Sequence, residues 1–285
     1  MNALAALAVG LSGVAPSDGI RNAVQGNPSS IAGLSSEEVD AYLASYVGMH
    51  GNPAAPVWLC DITPKTDGKS LTAPLNPLHE PVVWDKYFRQ RNQESMMRWQ
   101  SHQKAAKLIS SARSAAIGAE ACDWKHYFMH HLYGPSGGEF RISLFPLPTG
   151  ASGNRCWARV YRNQPALNPQ SRYLSLCRTG GRFRFIAKLR QRMQPKVIVC
   201  IGACHADDFL RAFEFSNARG TDAILQPADL PVRLQVYTQD NTALVISPAF
   251  GGVAGLNSDV LLNAMGRFTA QWLAATDFPS PLEKV

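Results

Sequence analysis

The residues of this sequence that could do chemistry stand where apolar runs end. Asp61 closes "VWLCD" and is followed by Ile62, Thr63 and Pro64. Ser247 closes "TALVIS" and is followed by Pro248, Phe250 and the glycines Gly251, Gly252 and Gly255. A carboxylate in such a place can orient water and take a proton from it. A serine hydroxyl can donate a hydrogen bond but cannot carry positive charge as histidine can. Asp61 reads equally as a loop carboxylate that caps a backbone turn. Gly202 ends a third apolar run, "VIVCIG", and His205 follows at a helix start, where it either approaches an anion or caps the turn.

A second group sits in "DWKHYFMHHLYG". His126 and His130 are four residues apart, the spacing of a metal pair on one helix face, with His131 beside them. No third ligand is apparent from the sequence and there is no HExxH, so the group reads as surface histidines of an amphipathic helix. The six cysteines form no CxxC pair, and Cys60 and Cys200 lie inside apolar runs as small hydrophobes. No metal and no cofactor is expected.

Positioning such residues requires a framework of strands and helices. The short apolar runs at 57–62 and 196–203 read as strands of a parallel sheet, and 139–148, 230–238 and 242–248 as further strands. Between them the pattern turns helical. "SSEEVDAYLASYV" is a helix capped by Ser35 or Ser36, residues 83–116 form one long helix, "GRFRFIAKLRQRM" another, and "NSDVLLNAMGRFTAQWLAA" the last. Strands alternating with helices predict an α/β fold, a three-layer α/β/α sandwich with a mainly parallel central sheet. Ligands of such sheets bind beyond the carboxyl ends of the strands, where the loops after 61, 202 and 247 would meet.

With 285 residues, 46% of them apolar, the chain can bury a sizeable core. Residues 1–50 read as a partly helical N-terminal extension and 51–285 as the main domain. No stretch approaches the roughly 20 apolar residues of a membrane span. The apolar N-terminal run has no basic residue before it, which argues against a signal peptide. The expected setting is cytoplasmic, without a membrane partner.

The net charge is +7, and it is unevenly spread. Between Phe140 and Ala206 there is no Asp or Glu, yet the interval holds ten Arg and two Lys, with Trp157, Tyr161, Tyr173, Phe183 and Phe185 interleaved. Arginine suits bidentate phosphate contacts and stacking on bases. One reading is a polyanion-binding surface, for which Arg155, Arg159, Arg178, Arg182 and Arg184 are the candidates. The other is a solvated face whose acidic partners come from elsewhere in the chain.

The order "VWLCDITP", "LFPLP", "PKVIVCIGACHADDF" and "LVISPAFGGVAGLN" resembles the uracil-DNA glycosylase superfamily over roughly residues 50–275. The resemblance implies that the loop after the first strand approaches a base and holds the water-activating residue. It implies that the loop after the last strand supports a flipped nucleotide and pushes into the duplex. The partner would be nucleic acid, DNA before RNA, and the reaction hydrolysis of an N-glycosidic bond. Carried over residue by residue, Asp61, Thr63 and Ser247 are the catalytic candidates. Ile62, Pro64, Ser143, Phe145, Gly202, His205, Pro248, Phe250, Gly251 and Asn257 would line the substrate. Aligning Pro64 with the family's proline puts Thr63 where Asp or Asn is usual and Asp61 on the motif glycine; sliding the match puts Asp61 where some members carry Glu. Ser247 stands where the family has His or Asn. These departures leave open a member that binds DNA or a nucleotide-like ligand without cleaving it. Phe145 reads as a stacking ring or a core phenylalanine, Ser143 as a base contact or a plain strand serine. Phe250 or Leu256 could wedge into a base step.

Overall fold

The computed structural model describes residues 33–63, 65–66, 75–120, 123–150, 154–227 and 231–278. They fall into two compact units. One comprises the described parts of 1–48, 63–80 and 145–185; the other, those of 49–62, 81–144 and 186–285.

The first unit is mostly helical. Helix α1 (Ser36–Leu43) starts at a capping box: Ser35 Oγ accepts from the Glu38 amide at 3.1 Å, and the Glu38 carboxylate accepts from the Ser35 amide at 2.8 Å. Its Val39, Tyr42 and Leu43 are buried.

The second unit is built on a seven-stranded sheet. Its strands are β1 (Met49–Gly51), β2 (Val57–Asp61), β4 (Glu139–Ser143), β6 (Val197–Ile201), β7 (Gly220–Leu225), β8 (Val232–Gln239) and β9 (Thr242–Ser247). The remaining strands, β3 (Lys65–Thr66) and β5 (Thr149–Gly150), pair in parallel within the first unit. The order across the large sheet is β1-β4-β2-β6-β9-β8-β7. The four central strands are parallel; β1 at one side and β8 at the other run against them, and β7, antiparallel to β8, closes the far edge. The α/β class therefore holds, with a parallel centre inside a mixed sheet. The hairpin between β8 and β9 turns at Asp240 and Asn241, both at positive φ, residue types that tolerate it. Strand β7 has no apolar run to announce it: its outer residues Thr221 and Asp222 are exposed, as befits an edge strand.

The long helical pattern of 83–116 is two helices, α2 (Lys86–Met96) and α3 (Gln100–Ile117). No proline or glycine breaks them. Asn92 and Ser95 instead hydrogen-bond back to the Phe88 and Asn92 carbonyls, which weakens the end of α2. The turn lets Trp99 and Phe88 both meet Trp84, with ring centroids 5.2 and 5.1 Å away. Helix α4 (Trp124–His130) follows, capped by Asp123. In the first unit lie α5 (Asn154–Val160) and α6 (Gln170–Thr179). Helix α7 (Gly181–Met193) carries the chain from the first unit into the second. The second unit is completed by α8 (Ala206–Ala212) and α9 (Asp259–Thr269).

Helices cover both faces of the large sheet. On the face bearing Leu59 and Asp61, α3 packs against α4 and α9. On the face bearing Trp58, the ring meets Phe140 at 5.2 Å and Phe213, just after α8, at 6.5 Å. Among the described residues no helix is long and apolar enough to cross a membrane.

Candidate active site at the carboxyl edge of the parallel strands

Within the large sheet the chain after β2 leads to β4 on one side of it; the chain after β6 leads to β7 at the far edge on the other side and returns through β8 to β9. The connections diverge between β2 and β6, and the carboxyl ends of two such strands are where ligands of α/β sheets bind. Asp61 is the last residue of β2, and Gly202 follows β6 directly.

Gly202 has φ +126°, a conformation L side chains rarely adopt, and its amide donates to the Ser247 carbonyl at 2.9 Å. A Cβ there would stand 2.5 Å from Ile62 Cδ1. Gly202→Ala is expected to cost about 1–3 kcal/mol, mostly as backbone strain. Denaturant unfolding of Gly202→Ala with and without Ile62→Ala separates the causes. If Ile62→Ala abolishes the loss, the side-chain clash and not the dihedral is responsible.

Asp61 is held from below. Arg141 projects from β4 on the same face and donates to Asp61 Oδ2 from Nε, at 3.1 Å, and from Nη2. The Asp61 side chain is 17% exposed and that of Arg141 10%. Oδ1 of Asp61 is buried and has no hydrogen-bond partner among the described residues. A desolvated acceptor in that state is a place where a donor from water or ligand binds favourably.

Beneath Arg141 lies a buried imidazole pair. Arg141 Nη1 is 2.6 and 2.8 Å from the two ring nitrogens of His102, from α3. His50, opposite Arg141 in the β1–β4 register, packs its ring 5.7 Å from that of His102. Burial, and then the charge of Arg141, pull His50 down to about 3 and His102 well below the ordinary histidine value. Both rings are neutral at pH 7, so His102 can accept from the guanidinium. Burial would weaken the guanidinium's hold on its proton, but the Asp61 and Tyr133 groups outweigh it and raise Arg141 further. At the start of the same strand Glu139 is fully buried. It accepts from Tyr127 Oη and the Tyr133 amide, each at 2.6 Å, and burial lifts it to about 7.

Ser143 lies opposite Asp61 in register and shares its face, buried. Ser247 is in the adjoining part of the sheet, but its hydroxyl is fully buried and donates to the Cys200 and Pro248 carbonyls, both at 3.2 Å. The loop after it closes on itself. Leu256 donates from its amide to the Ala249 carbonyl at 2.8 Å, and the Asn257 side chain donates to the Gly252 carbonyl at 2.9 Å. Gly255 is required by that closure, since a Cβ would fall 2.2 Å from the Gly251 carbonyl oxygen; Gly251 itself faces open space. The Phe250 carbonyl accepts from Lys104 of α3, and the Phe250 ring is half-buried, as is Pro248. Leu256 is fully buried, which corrects its reading as a wedge; the apolar side chain that stands out of the loop is Val253, fully exposed. His205, partly exposed, pairs with Asp208 at 3.3 Å in the first turn after Gly202.

The other predicted residues belong to the first unit. Thr63 donates its hydroxyl to the Leu147 carbonyl at 2.9 Å. Phe145 is buried between the rings of Tyr173 and Phe183, 6.4 and 6.0 Å away, with the Arg178 guanidinium 5.8 Å from its ring. Its core reading is the one seen within that unit. Pro64 lies outside the described residues, as does the side chain of Arg155. Arg159 and Arg184 are exposed, Arg184 facing Asp40 at 3.5 Å. Arg182 corrects the basic-surface reading: it is fully buried and donates to the Ser45 and Val47 carbonyls at 3.2 and 3.0 Å. The acid-free interval thus also contains structural arginines, Arg141 and Arg190 among them.

Arg141, His102 and His50 were not singled out from the sequence. The available signal was Arg141 itself, a charge between Phe140 and Ile142 in an apolar strand, which can be buried only with a partner. No protein-family model matches the chain, and no curated protein matches it.

Proposed function

We propose that the protein is a divergent relative of the uracil-DNA glycosylases that hydrolyses an N-glycosidic bond to a damaged or modified base, with Asp61 orienting the attacking water. The observation that carries this reading is the position of Asp61. It ends the strand beside the point where the connections diverge, one oxygen fixed by Arg141 and the other unpaired. In the reaction the bond from sugar C1′ to the base nitrogen breaks, and its electron pair leaves with the base. Water adds to C1′, and its proton passes to the carboxylate or to the departing base. A fixed carboxylate facing an oxocarbenium-like sugar stabilises that charge without reorganising. Val253, at the tip of a loop tied at both ends, is the side chain to enter the base stack as the nucleotide leaves it. Exposed Arg159, Arg162 and Arg172 are available for phosphates.

One observation favours a second reading, a binder without chemistry. The Arg141 guanidinium neutralises the carboxylate it holds, and Ser247 spends its hydroxyl on main-chain carbonyls.

The test is incubation with end-labelled oligonucleotides containing uracil, hypoxanthine or mismatched thymine, followed by alkali to cut abasic sites. Binding is measured alongside at two salt concentrations. Cleavage by the wild type is expected, and Asp61→Asn should lower its rate by about a hundredfold or more. Cleavage that survives in Asp61→Asn removes Asp61 from the chemistry. Salt-sensitive binding with no cleavage selects the second reading, and absence of both removes nucleic acid as the partner.

A further inference from the structure

Away from Asp61, helix α4 and the residue that ends it bring three imidazoles together. The Nε2 atoms of His126 and His131 are 3.3 Å apart. The ring of His130 lies 4.7 Å from that of His126 and 6.3 Å from that of His131. His130 is exposed and the other two are half-buried, so solvent ions reach all three.

The distance between the two nitrogens is informative. Two imidazoles bound to one tetrahedral zinc at about 2.0–2.1 Å stand roughly 3.3–3.4 Å apart, whereas an N–H···N hydrogen bond favours about 3.0 Å. The pair therefore has the separation that a shared metal requires. Their spacing explains how it arises. His126 is on the first turn of α4, His130 one turn further along the same face, and His131 caps the helix with its amide on the Tyr127 carbonyl.

We propose that His126 and His131 bind a divalent transition metal, zinc in particular, through their Nε2 atoms. No group of three His, Cys, Asp or Glu side chains among the described residues is already set to hold a metal. The protein thus supplies two ligands in place, water completes the shell, and His130 joins by rotating about its side-chain bonds.

The surroundings also select the kind of cation. Arg89 and Arg113 lie close enough to oppose positive charge. Arg89 is partly occupied by donating to the Phe128, Met129 and Leu132 carbonyls. A site with imidazole donors and arginines nearby excludes calcium and magnesium, which need several anionic oxygens, and admits a metal that bonds to nitrogen. Bound there, the ion would clip the first turn of α4 to its cap, just before the turn that leads to Glu139 and Arg141.

The experiment is equilibrium dialysis of the full chain, stripped with EDTA, against zinc chloride alone, with the metal content read by mass spectrometry. Magnesium chloride serves as the second arm. One zinc per chain and no magnesium are expected. His126→Ala and His131→Ala should each weaken zinc binding by at least about tenfold, since each removes one of the two imidazoles already in place. His130→Ala should weaken it less. Zinc should raise the melting temperature of the wild type but not of His126→Ala. If His131→Ala does not fold, His126→Asn on the half-exposed first turn makes the same comparison. No zinc bound at millimolar concentration, or equal binding by wild type and both key variants, would overturn the proposal.

Discussion

An Arg141→Met protein is expected to lose about 3–5 kcal/mol of folding stability, the size of effect seen when one partner of a buried ion pair is removed. The geometry explains why the loss is large. Asp61 Oδ2 depends on Arg141 for both of its hydrogen bonds, and Oδ1 has none to compensate. The variant therefore leaves a carboxylate in a poorly hydrated place with no counter-charge. It also leaves His102, whose ring nitrogens lie 2.6 and 2.8 Å from Arg141 Nη1, without that donor. Methionine matches the length of the aliphatic stem, so little of the loss should be cavity formation. Urea unfolding at pH 7 measures it. A second variant isolates the cause: Arg141→Met combined with Asp61→Leu should regain much of the stability, because replacing both charges by apolar groups is often neutral. A single variant within 1 kcal/mol of wild type would show that Asp61 does not rely on this pair.

The strands were readable because β2, β6 and β9 are buried on both faces and so write themselves as unbroken apolar runs. Asp61 and Gly202 could be placed at strand ends for the same reason, since chemistry and tight turns begin where those runs stop. Strand β7 could not be read, because an exposed edge strand needs no apolar face. The break between α2 and α3 was hidden as well. It depends on three-dimensional packing around Trp84, and neither Pro nor Gly marks it. The arginine run misled in part because sequence does not show direction: Arg182 and Arg184 are two residues apart, yet one is buried on main-chain carbonyls and the other exposed. The buried network was the least legible. His50 and His102 are 52 positions apart and meet only when β1 pairs with β4 and α3 lies across them.

That network also sets the pH response, and the signs of its members differ. His50 has a folded value of about 3 against an ordinary 6.5, and His102 is likewise depressed. A depressed histidine contributes stability that is complete above 6.5 and is lost as pH falls toward the folded value. Each can remove up to about 1.4 kcal/mol per pH unit within its window. Glu139 acts oppositely. Its folded value is about 7 against an ordinary 4.5, so the stability from its protonated form is complete below 4.5 and is lost as pH rises through 7. Between 6.5 and 4.5 two imidazoles therefore work against one carboxyl, and below 4.5 the carboxyl has nothing further to add while His50 continues to about 3. The groups facing these side chains do not reverse the balance: Arg141 stays charged and further disfavours protonation of both rings. Stability is expected to be greatest near pH 7 and to fall by roughly 2 kcal/mol or more by pH 4.5. Urea unfolding at pH 7.5, 6 and 4.5 gives the slope. Removing one titrating ring in His102→Gln should flatten it, whatever that variant's stability at pH 7, and Glu139→Gln should steepen it by removing the opposing group. A slope unchanged in His102→Gln would mean that acid unfolds the protein elsewhere and that the imidazoles under Arg141 do not control it.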